Sequence, residues 1–315
     1  MKREIRALAG GHDYVLCHLL RTAVQAEDAP VPKVVELSDS LSLQYERILD
    51  VPYVSRKHRI LYSIERRRVA RLEQQIIESF DLVSMVSHRD AMYLGTSGSN
   101  KIRVFPLGID VKSFHYHERI DRSDRILFLG NMRTAVNQVA CLFFAKEVLP
   151  LVRKRQPNLK LAVAGLTPKG VARKLVRHEG IELIGPFGDA NDVLRNGFCG
   201  VAPMVGASGV QSKILEYMAS GLPTVASREA LSSMTLGRAA PDEIALTGDT
   251  ASQLADAVLS LWSDAALRTS LAQKARRYVE EHHDWSVCLQ PLAREIEDLV
   301  ERSRAPRVDL QQTRP

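Results

Sequence analysis

The sequence lacks the cysteine patterns that mark metal-binding and disulfide-stabilised proteins. Its 315 residues include four cysteines, and no two of them form a CxxC pair. Such widely separated cysteines argue against a structural zinc site or a disulfide framework and favour a reducing, cytoplasmic setting. The 18 glycines and 14 prolines are also too few for a long low-complexity linker.

Long apolar runs are missing as well. The longest, residues 139–145, has seven residues, whereas a membrane-spanning helix needs about 20. The first residues, from Met1 to Arg6, are mostly charged and lack the apolar core of a signal peptide. We therefore expect neither a transmembrane segment nor a secretion signal.

Motifs of several enzyme classes are also absent. No GxxxxGK(S/T) or GxGxxG motif occurs, so ATP and NAD sites have no support. No GxSxG motif marks a hydrolase nucleophile. No Asp-x-Asp pair is present to anchor a catalytic metal ion. We expect neither a bound metal nor a cofactor.

Short apolar runs that alternate with helical patterns predict an α/β fold. Most of the runs are continuously apolar, which is typical of strands buried on both faces of a parallel sheet. Alternation with helices indicates βαβ units and doubly wound sheets. We predict nine strands, at residues 14–17, 33–37, 82–86, 102–105, 126–129, 161–164, 181–184, 200–203 and 224–226.

A polar stretch at residues 115–124 divides the chain into two unequal parts. It has no apolar periodicity, and a fresh strand begins directly after it. We predict one domain over residues 1–120 and a second from residue 121. The second has strands enough for a complete sheet, whereas the first has about four and is expected to be incomplete.

Residues 185–227 carry the chemistry. A small-residue loop from Gly206 to Gly209 precedes a helix predicted from about Val210 to Ser220. The free N–H groups of such a helix start, with Lys213 in its first turn, favour a phosphate. Glu216, one turn deeper on the same face, is placed to accept the hydroxyls of a ribose. The alternative is a common loop followed by an ordinary ion pair between Lys213 and Glu216.

The segment GVQSKILEYMASGLPTV, residues 209–225, resembles the donor-site signature of GT-B glycosyltransferases of family 4, roughly K-x-x-E-x-M-A-x-G-x-P-V-V. The stretches FLGNM (128–132), EVLP (147–150) and HDW (283–285) are similar to further parts of that family. The resemblance covers about residues 12–300. It is closest to bacterial sugar transferases of exopolysaccharide loci.

The resemblance implies two Rossmann-like doubly wound domains with a cleft between them. It implies a donor domain over residues 121–282, a helix over 283–303 that crosses back to the first domain, and a flexible tail over 304–315. The implied reaction is transfer of a sugar from a UDP-, GDP- or ADP-sugar to a glycan or lipid-linked acceptor, with retention and without a metal. The donor-binding residues that it implies are Gly130, Arg133, Ser208, Gly209, Val210, Gln211, Lys213 and Glu216.

Three positions depart from the family pattern. Ser208 stands where many members carry the first glutamate of an E-x7-E pair, and Asn137 stands near an expected lysine. Phosphate neutralisation then rests on Lys213, Arg133 and the helix start. Residues 12–18 resemble a mid-domain stretch, so the first strands are expected to be missing, through a misplaced start, a fragment or a reduced form. Such a sheet exposes an apolar edge.

Asp39, directly after the second predicted strand, is the other candidate catalytic residue beside Lys213. In the family this position faces the cleft and contacts the acceptor or the transferred sugar. The alternative is a loop aspartate that caps the helix predicted to begin near Leu41. Both roles are compatible.

Residues 56–71 form a strongly basic stretch within a predicted helix that runs to about Ser79. The side chains predicted to face inward are Leu61, Ile64, Val69, Leu72 and Ile76; the basic residues are Arg56, Lys57, Arg59, Arg66, Arg67, Arg68 and Arg71. A basic amphipathic helix can bind anionic lipid, which predicts a peripheral membrane protein. The alternative is a solvated basic face. No nucleic-acid-binding motif accompanies the charge.

Two rival functions remain at this point. The first is a catalytically inactive binding or partner subunit, which the incomplete first domain favours. The second is a sugar-nucleotide epimerase of the same fold, which needs acidic and histidine groups placed for proton transfer. The sequence shows no such set.

Overall fold

The protein, as a computed structural model, is described over residues 1–95, 100–117, 123–234 and 240–304. Its strands lie in two parallel sheets, one in each part of the chain. The predicted boundary near residue 120 and most of the predicted tail, residues 305–315, lie outside the described residues.

The N-terminal sheet has four strands in the order β1-β2-β3-β4. Its strands are β1 Val15–His18, β2 Lys33–Ser38, β3 Leu82–Met85 and β4 Ile102–Val104. The helices of this part are α1 Lys2–Ala9, α2 Leu20–Ala26, α3 Leu41–Leu49, α4 Arg56–Ser79 and α5 His88–Leu94.

The C-terminal sheet has six strands in the order β10-β9-β8-β5-β6-β7. Its strands are β5 Arg125–Leu129, β6 Lys160–Ala164, β7 Ile181–Gly185, β8 Cys199–Ala202, β9 Thr224–Ala226 and β10 Leu246–Thr247. The helices are α6 Ala135–Phe143, α7 Leu149–Arg155, α8 Lys169–Leu175, α9 Ala190–Leu194, α10 Ser212–Ala219, α11 Arg228–Leu231, α12 Pro241–Ile244, α13 Ala251–Ser263, α14 Ala265–His282 and α15 Trp285–Arg304; a π-helical turn, Phe144–Val148, joins α6 to α7.

All nine predicted strands are present, each within a residue or two of its predicted bounds. The parallel α/β prediction is thereby confirmed. The sequence pattern missed β10, because two residues at a sheet edge, both half-buried, give too short an apolar run to stand out. All four cysteines are buried, free thiols.

The apolar core of the C-terminal part is continuous with side chains from the N-terminal part. Ile48 on α3 is buried in the same cluster as Phe128 and Phe144, and Val54 packs against that cluster. The N-terminal sheet has its own core, around Val35, Phe80 and other residues of β2, β3 and α4. The two parts therefore touch through apolar contacts from the end of α3 and from the connection between α3 and α4.

The chain crosses between the two parts twice, and the two crossings are bonded together. The amide of Ile109 donates to the carbonyl of His283 at 2.8 Å, and Trp285 donates from its amide to the carbonyl of Ile109 at 3.0 Å. Beyond this point α15 returns to the N-terminal sheet, where Ile296 packs against Val34 and Leu82.

One helical segment, Ala135–Arg155, is long and apolar enough to meet the criteria for a membrane span, contrary to the expectation from run length. It has 21 residues; its most apolar 18-residue window has a mean hydropathy of 1.4, and just over half of that window is buried. Val139, Phe144 and Leu149 along it have almost no exposed surface and pack in the core beside the C-terminal sheet. Its apolar character thus matches that of a core helix.

Helix α4 has the predicted bounds, but its predicted buried face is partly wrong. Ile76 is fully buried, and Val69 and Leu72 pack against the N-terminal core. Leu61 and Ile64 are 46% and 54% exposed. The reason is that the N-terminal half of α4 turns Tyr62 inward instead, where its ring stacks on Tyr45 of α3 with centroids 4.4 Å apart and packs against the C-terminal core.

The hydroxyl of Tyr217 fills a gap between two central strands. Strand β5 pairs with β8 at Ile126 and Leu127. Two residues further on, the buried amide of Leu129 donates instead to the Tyr217 hydroxyl at 2.8 Å. Tyr217 thus satisfies a backbone donor at the carboxyl end of β5, where β5 and β8 separate.

We expect Tyr217→Phe to lower the free energy of unfolding by about 1–3 kcal/mol, because it leaves a buried N–H donor without its acceptor. Chemical denaturation measures the loss. Tyr14→Phe is the matched control, since Tyr14 is 39% exposed, and it should change stability by less than about 0.5 kcal/mol. Equal losses in the two variants would contradict the assignment.

Candidate active site

A loop between β8 and α10 forms the centre of the site. Residues 203–211, here called the glycine loop, contain Gly206 and Gly209 in left-handed conformations with φ of 71° and 61°. Helix α10 begins at Ser212 rather than at the predicted Val210, with Gln211 as its N-cap. The Gln211 side chain does not cap the helix. The first-turn N–H groups therefore lie at the site without that partner.

A cavity of about 530 Å³, here called the larger cavity, opens at the start of α10. Five of the predicted donor-binding residues line it: Gly130, Val210, Gln211, Lys213 and Glu216. Its other walls come from the ends of neighbouring strands: Leu129, Asn131, Asn137, Gly165, Leu166, Pro186, Phe187 and Ser212. The cavity thus lies at the carboxyl ends of parallel strands, the usual ligand site of such sheets.

The ammonium of Lys213 is buried without an ion-pair partner within the described residues. It donates to Asn137 Oδ1 at 2.6 Å and lies 4.5 Å from the centroid of the Phe128 ring. Burial lowers the pKa of Lys213 to about 8, although the charge of Glu216 opposes the shift. The alternative of a simple Lys213–Glu216 ion pair is therefore wrong.

Glu216 lies one turn along α10 from Lys213, half-buried at the wall of the larger cavity. Burial raises the pKa of its carboxyl group, while a hydrogen bond with Ser212 and the charge of Lys213 lower it. A carboxylate has two acceptor oxygens, a number that suits paired hydroxyl groups of a ligand.

A second cavity of about 300 Å³, here called the smaller cavity, adjoins the first. Asn137, Val210 and Gln211 line both cavities. Asp39 and Ser208 line only the smaller one, and the Ser208 hydroxyl donates to Asp39 Oδ2 at 2.7 Å. The N-terminal and C-terminal parts of the chain therefore share this cavity.

Burial raises the pKa of Asp39, and the negative charges of Asp90 and Glu36 raise it further, against the hydrogen bond from Ser208. Asp39 does not cap α3. Ser40 is the N-cap, and its hydroxyl accepts from the amide of Leu43 at 3.2 Å. The capping alternative for Asp39 is therefore wrong.

Two arginines of the N-terminal part are bonded to the glycine loop at Ala207, one of them through Glu229. Arg89 donates to the carbonyl of Ala207 at 2.9 Å and to Ser233 Oγ at 2.7 Å. Arg47 forms an ion pair with Glu229 at 2.8 Å, and Glu229 accepts from the amide of Ala207 at 3.0 Å. The loop is thus bonded to side chains from both parts of the chain.

The structure separates one predicted residue from the others and adds one that the sequence analysis missed. Arg133 is exposed and lines neither cavity. Asn137, noted only as standing where a lysine was expected, bonds Lys213 and lines both cavities. Asn137 Nδ2 also donates to the backbone carbonyl of Asn131 at 3.1 Å, a contact that no local sequence pattern signals.

No group of three or more His, Cys, Asp and Glu side chains in the described ranges is arranged to hold a metal ion. The cationic groups at the larger cavity are instead Lys213 and the helix start.

Comparison with known proteins finds similarity to one family in the C-terminal part. Residues 123–264 match the family described as Glycosyl transferases group 1. HepE of Anabaena, in complex with UDP and glucose, matches 94% of this chain and 80% of its own, with a TM-score of 0.72 and 14% identity. Sucrose-phosphate synthase of Thermosynechococcus elongatus matches 96% of this chain and 77% of its own, with a TM-score of 0.75 and 16% identity. The chain has the GT-B fold, and its residues 123–264 are similar to the glycosyl transferases group 1 family.

A sequence relative of this GT-B protein is an uncharacterized 44.6 kDa protein in the cps region of Klebsiella pneumoniae. The two are 25% identical over 233 residues, which are 69% of this chain. The chain spans 57% of the length of that relative.

Because Lys213 binds an anion only when protonated, we expect its contribution to diphosphate affinity to disappear as the pH rises through about 8. Calorimetry with inorganic pyrophosphate between pH 7 and 9 measures this. Lys213→Met is the control, since it keeps every pH effect that belongs to the ligand. The wild-type advantage over this variant should shrink about tenfold per pH unit at the upper end. A constant advantage would remove Lys213 from the anion site.

Proposed function

We propose that this GT-B protein is a glycosyltransferase that moves a sugar from a nucleotide-diphosphate sugar to an acceptor hydroxyl. The observation that carries the proposal is the buried Lys213 ammonium, which lines the larger cavity without a carboxylate partner. A diphosphate supplies the missing negative charge. The group 1 domain match and the UDP-glucose bound by HepE support a nucleotide sugar as the donor.

The larger cavity receives the donor in three places. The diphosphate binds to Lys213 and to the first-turn N–H groups of α10. Glu216 accepts the ribose hydroxyls one turn deeper. The base lies against the apolar wall of Leu166, Pro186 and Phe187, where Phe187 is 37% exposed.

The smaller cavity receives the reacting groups. The bond between the anomeric carbon and the phosphate oxygen breaks, and its electron pair leaves with the nucleotide diphosphate. The acceptor oxygen bonds to the anomeric carbon, and its proton passes to the departing diphosphate. Lys213 stabilises the charge that develops on this leaving group. Asp39 binds a hydroxyl of the acceptor or of the transferred sugar.

We further propose a family 4 enzyme that retains anomeric configuration, requires neither metal nor cofactor, and acts in cell-surface polysaccharide or glycolipid synthesis at the cytoplasmic face of the membrane. The support is the resemblance of residues 209–225 to that family. Lys213 and the helix start supply the positive charge that the leaving diphosphate needs. A protein that binds UDP-, GDP- or ADP-sugars without forming a glycosylated product would instead be the inactive binding or partner subunit.

We expect Glu216→Ala to weaken nucleotide binding by about a hundredfold or more, because it removes two charge-assisted hydrogen bonds. A thermal-shift screen of UDP-, GDP- and ADP-sugars selects the nucleotide, and calorimetry gives its affinity. Asp39→Asn is the matched control. Asp39 lines only the smaller cavity, so that variant should keep nucleotide affinity but lose turnover. Unchanged nucleotide affinity in Glu216→Ala would contradict the donor-site assignment.

The exposed end of α4 supports a proposed membrane contact. Ile60, Leu61 and Ile64 are 64%, 46% and 54% exposed. They lie among seven basic residues between Arg56 and Arg71, with Glu65 as the acidic residue of that stretch. Apolar side chains combined with positive charge bind the surface of an anionic bilayer and bring the enzyme to a lipid-linked acceptor.

We expect the protein to sediment with vesicles that contain phosphatidylglycerol and to leave pure phosphatidylcholine vesicles unbound. Ile60→Ser with Ile64→Ser should weaken the binding by about tenfold or more, because two apolar side chains no longer enter the bilayer. Met92→Ser is the control, since Met92 is 76% exposed but lies on α5. Equal binding by all three proteins would exclude α4 as the contact surface.

A further inference from the structure

A fully buried carboxylate, Asp90, joins the two parts of the chain at the smaller cavity. It lies in the first turn of α5, where its amide donates to the N-cap Ser87. Its Oδ1 accepts from the amide of Ser40 at 3.0 Å. Its Oδ2 accepts from the amide of Gly209 at 3.2 Å. One side chain therefore bonds the backbone of both segments that form the smaller cavity.

The two segments carry the reacting side of the proposed site. Ser40 directly follows Asp39, and Gly209 directly follows Ser208. The backbones approach so closely that a Cβ on Gly209 would lie 2.9 Å from the Cβ of Asp39. Gly209 also has a positive φ that side chains rarely adopt. The bridging carboxylate therefore joins two segments that are in direct contact.

The chemistry requires a carboxylate rather than an amide at this position. Two backbone N–H donors converge on it, and each needs an acceptor. An ionised carboxylate offers two acceptor oxygens, whereas asparagine offers one oxygen and an NH2 group that would face the second donor. Asp90→Asn therefore breaks one of the two bonds while it conserves size.

We propose that Asp90 is a positioning residue that holds Asp39 and the glycine loop in the geometry required for sugar transfer. The kinetic consequence rests on the proposed transferase function. The bridge itself consists of the two hydrogen bonds from the amides of Ser40 and Gly209. Asp90 lines neither cavity. It acts through the segments that it joins, and so we expect it to govern turnover more than donor affinity.

Glu73 on α4 provides a matched control. It is also a fully buried carboxylate, and it also supports the start of α3: it accepts from the amide of Leu41 at 2.8 Å and from the Ser42 hydroxyl. Its hydrogen bonds are to residues 40–42 and do not include the glycine loop. Glu73→Gln thus disturbs one of the two segments that Asp90 connects.

Hydrogen–deuterium exchange of the full chain tests the bridge without reference to activity. Asp90→Asn should speed amide exchange in residues 38–42 and in residues 206–211 together. Glu73→Gln should speed exchange in the first segment only. If Asp90→Asn does not fold, Asp90→Glu takes its place, because it keeps the charge but moves both oxygens by one methylene. Unchanged exchange in residues 206–211 would overturn the bridge.

Steady-state kinetics tests the positioning role. Asp90→Asn should lower kcat by about a hundredfold, because small misplacement of a reacting group has effects of that size. The donor KM should change much less, since Lys213 and Glu216 lie on α10 beyond the loop. Asp39 binds a hydroxyl group as a carboxylate, so its protonation sets the acid limb of the pH–rate profile. In Asp90→Asn this limb should move to lower pH. The charged groups that face Asp39 are Asp90 and Glu36, and removal of the Asp90 charge lowers the pKa of Asp39.

The outcomes separate the two proposals. A wild-type protein that neither binds nor turns over a nucleotide sugar would contradict the transferase proposal. Hydrogen–deuterium exchange would still test whether Asp90 bridges the two segments. An active wild type with Asp90→Asn at normal kcat and an unmoved acid limb would overturn the positioning role. Equal kinetic losses and equal limb shifts in Glu73→Gln would also overturn it, since a general structural defect would then explain both.

Discussion

The burial of the Lys213 ammonium is the constraint on which this site depends. An unpaired charge in an apolar interior is unstable unless nearby dipoles and ligands compensate it. The Asn137 oxygen and the face of the Phe128 ring supply part of that compensation. They do not neutralise the charge, so in the proposed enzyme the diphosphate of the donor completes the compensation. Tyr217 allows β5 and β8 to separate at this depth without loss of a backbone hydrogen bond.

The glycine loop connects this charged site to the other part of the chain. Side chains of the N-terminal part bond it along its length, through Ala207, Ser208 and Gly209. The same loop leads into α10, which carries Lys213 and Glu216. A shift of the N-terminal part therefore reaches the larger cavity along a few residues of continuous backbone.

Local sequence patterns predicted much of the fold and, within the candidate site, the glycine loop and the start of α10. Continuous apolar runs indicate buried strands, and a small-residue loop before a helix start indicates a candidate anion site, because both depend on residues close together in the chain. Asn137 and Asp90 were not predicted as contacts of Lys213 and Gly209, since the paired residues lie 76 and 119 positions apart. Helical periodicity placed Leu61 and Ile64 on one face of α4 but carries no information on whether that face is covered.

The separation of the two carboxylates has a consequence for the proposed reaction. Glu216 belongs to the C-terminal part and lines the larger cavity, whereas Asp39 belongs to the N-terminal part and reaches only the smaller one. The Ser208 hydroxyl on the glycine loop donates a hydrogen bond to Asp39 of the N-terminal part. In the proposed enzyme the donor can bind to one part of the chain alone, but the reacting carboxylate is present only when the parts are closed. Closure excludes water at the same step, which favours the acceptor over hydrolysis of the donor.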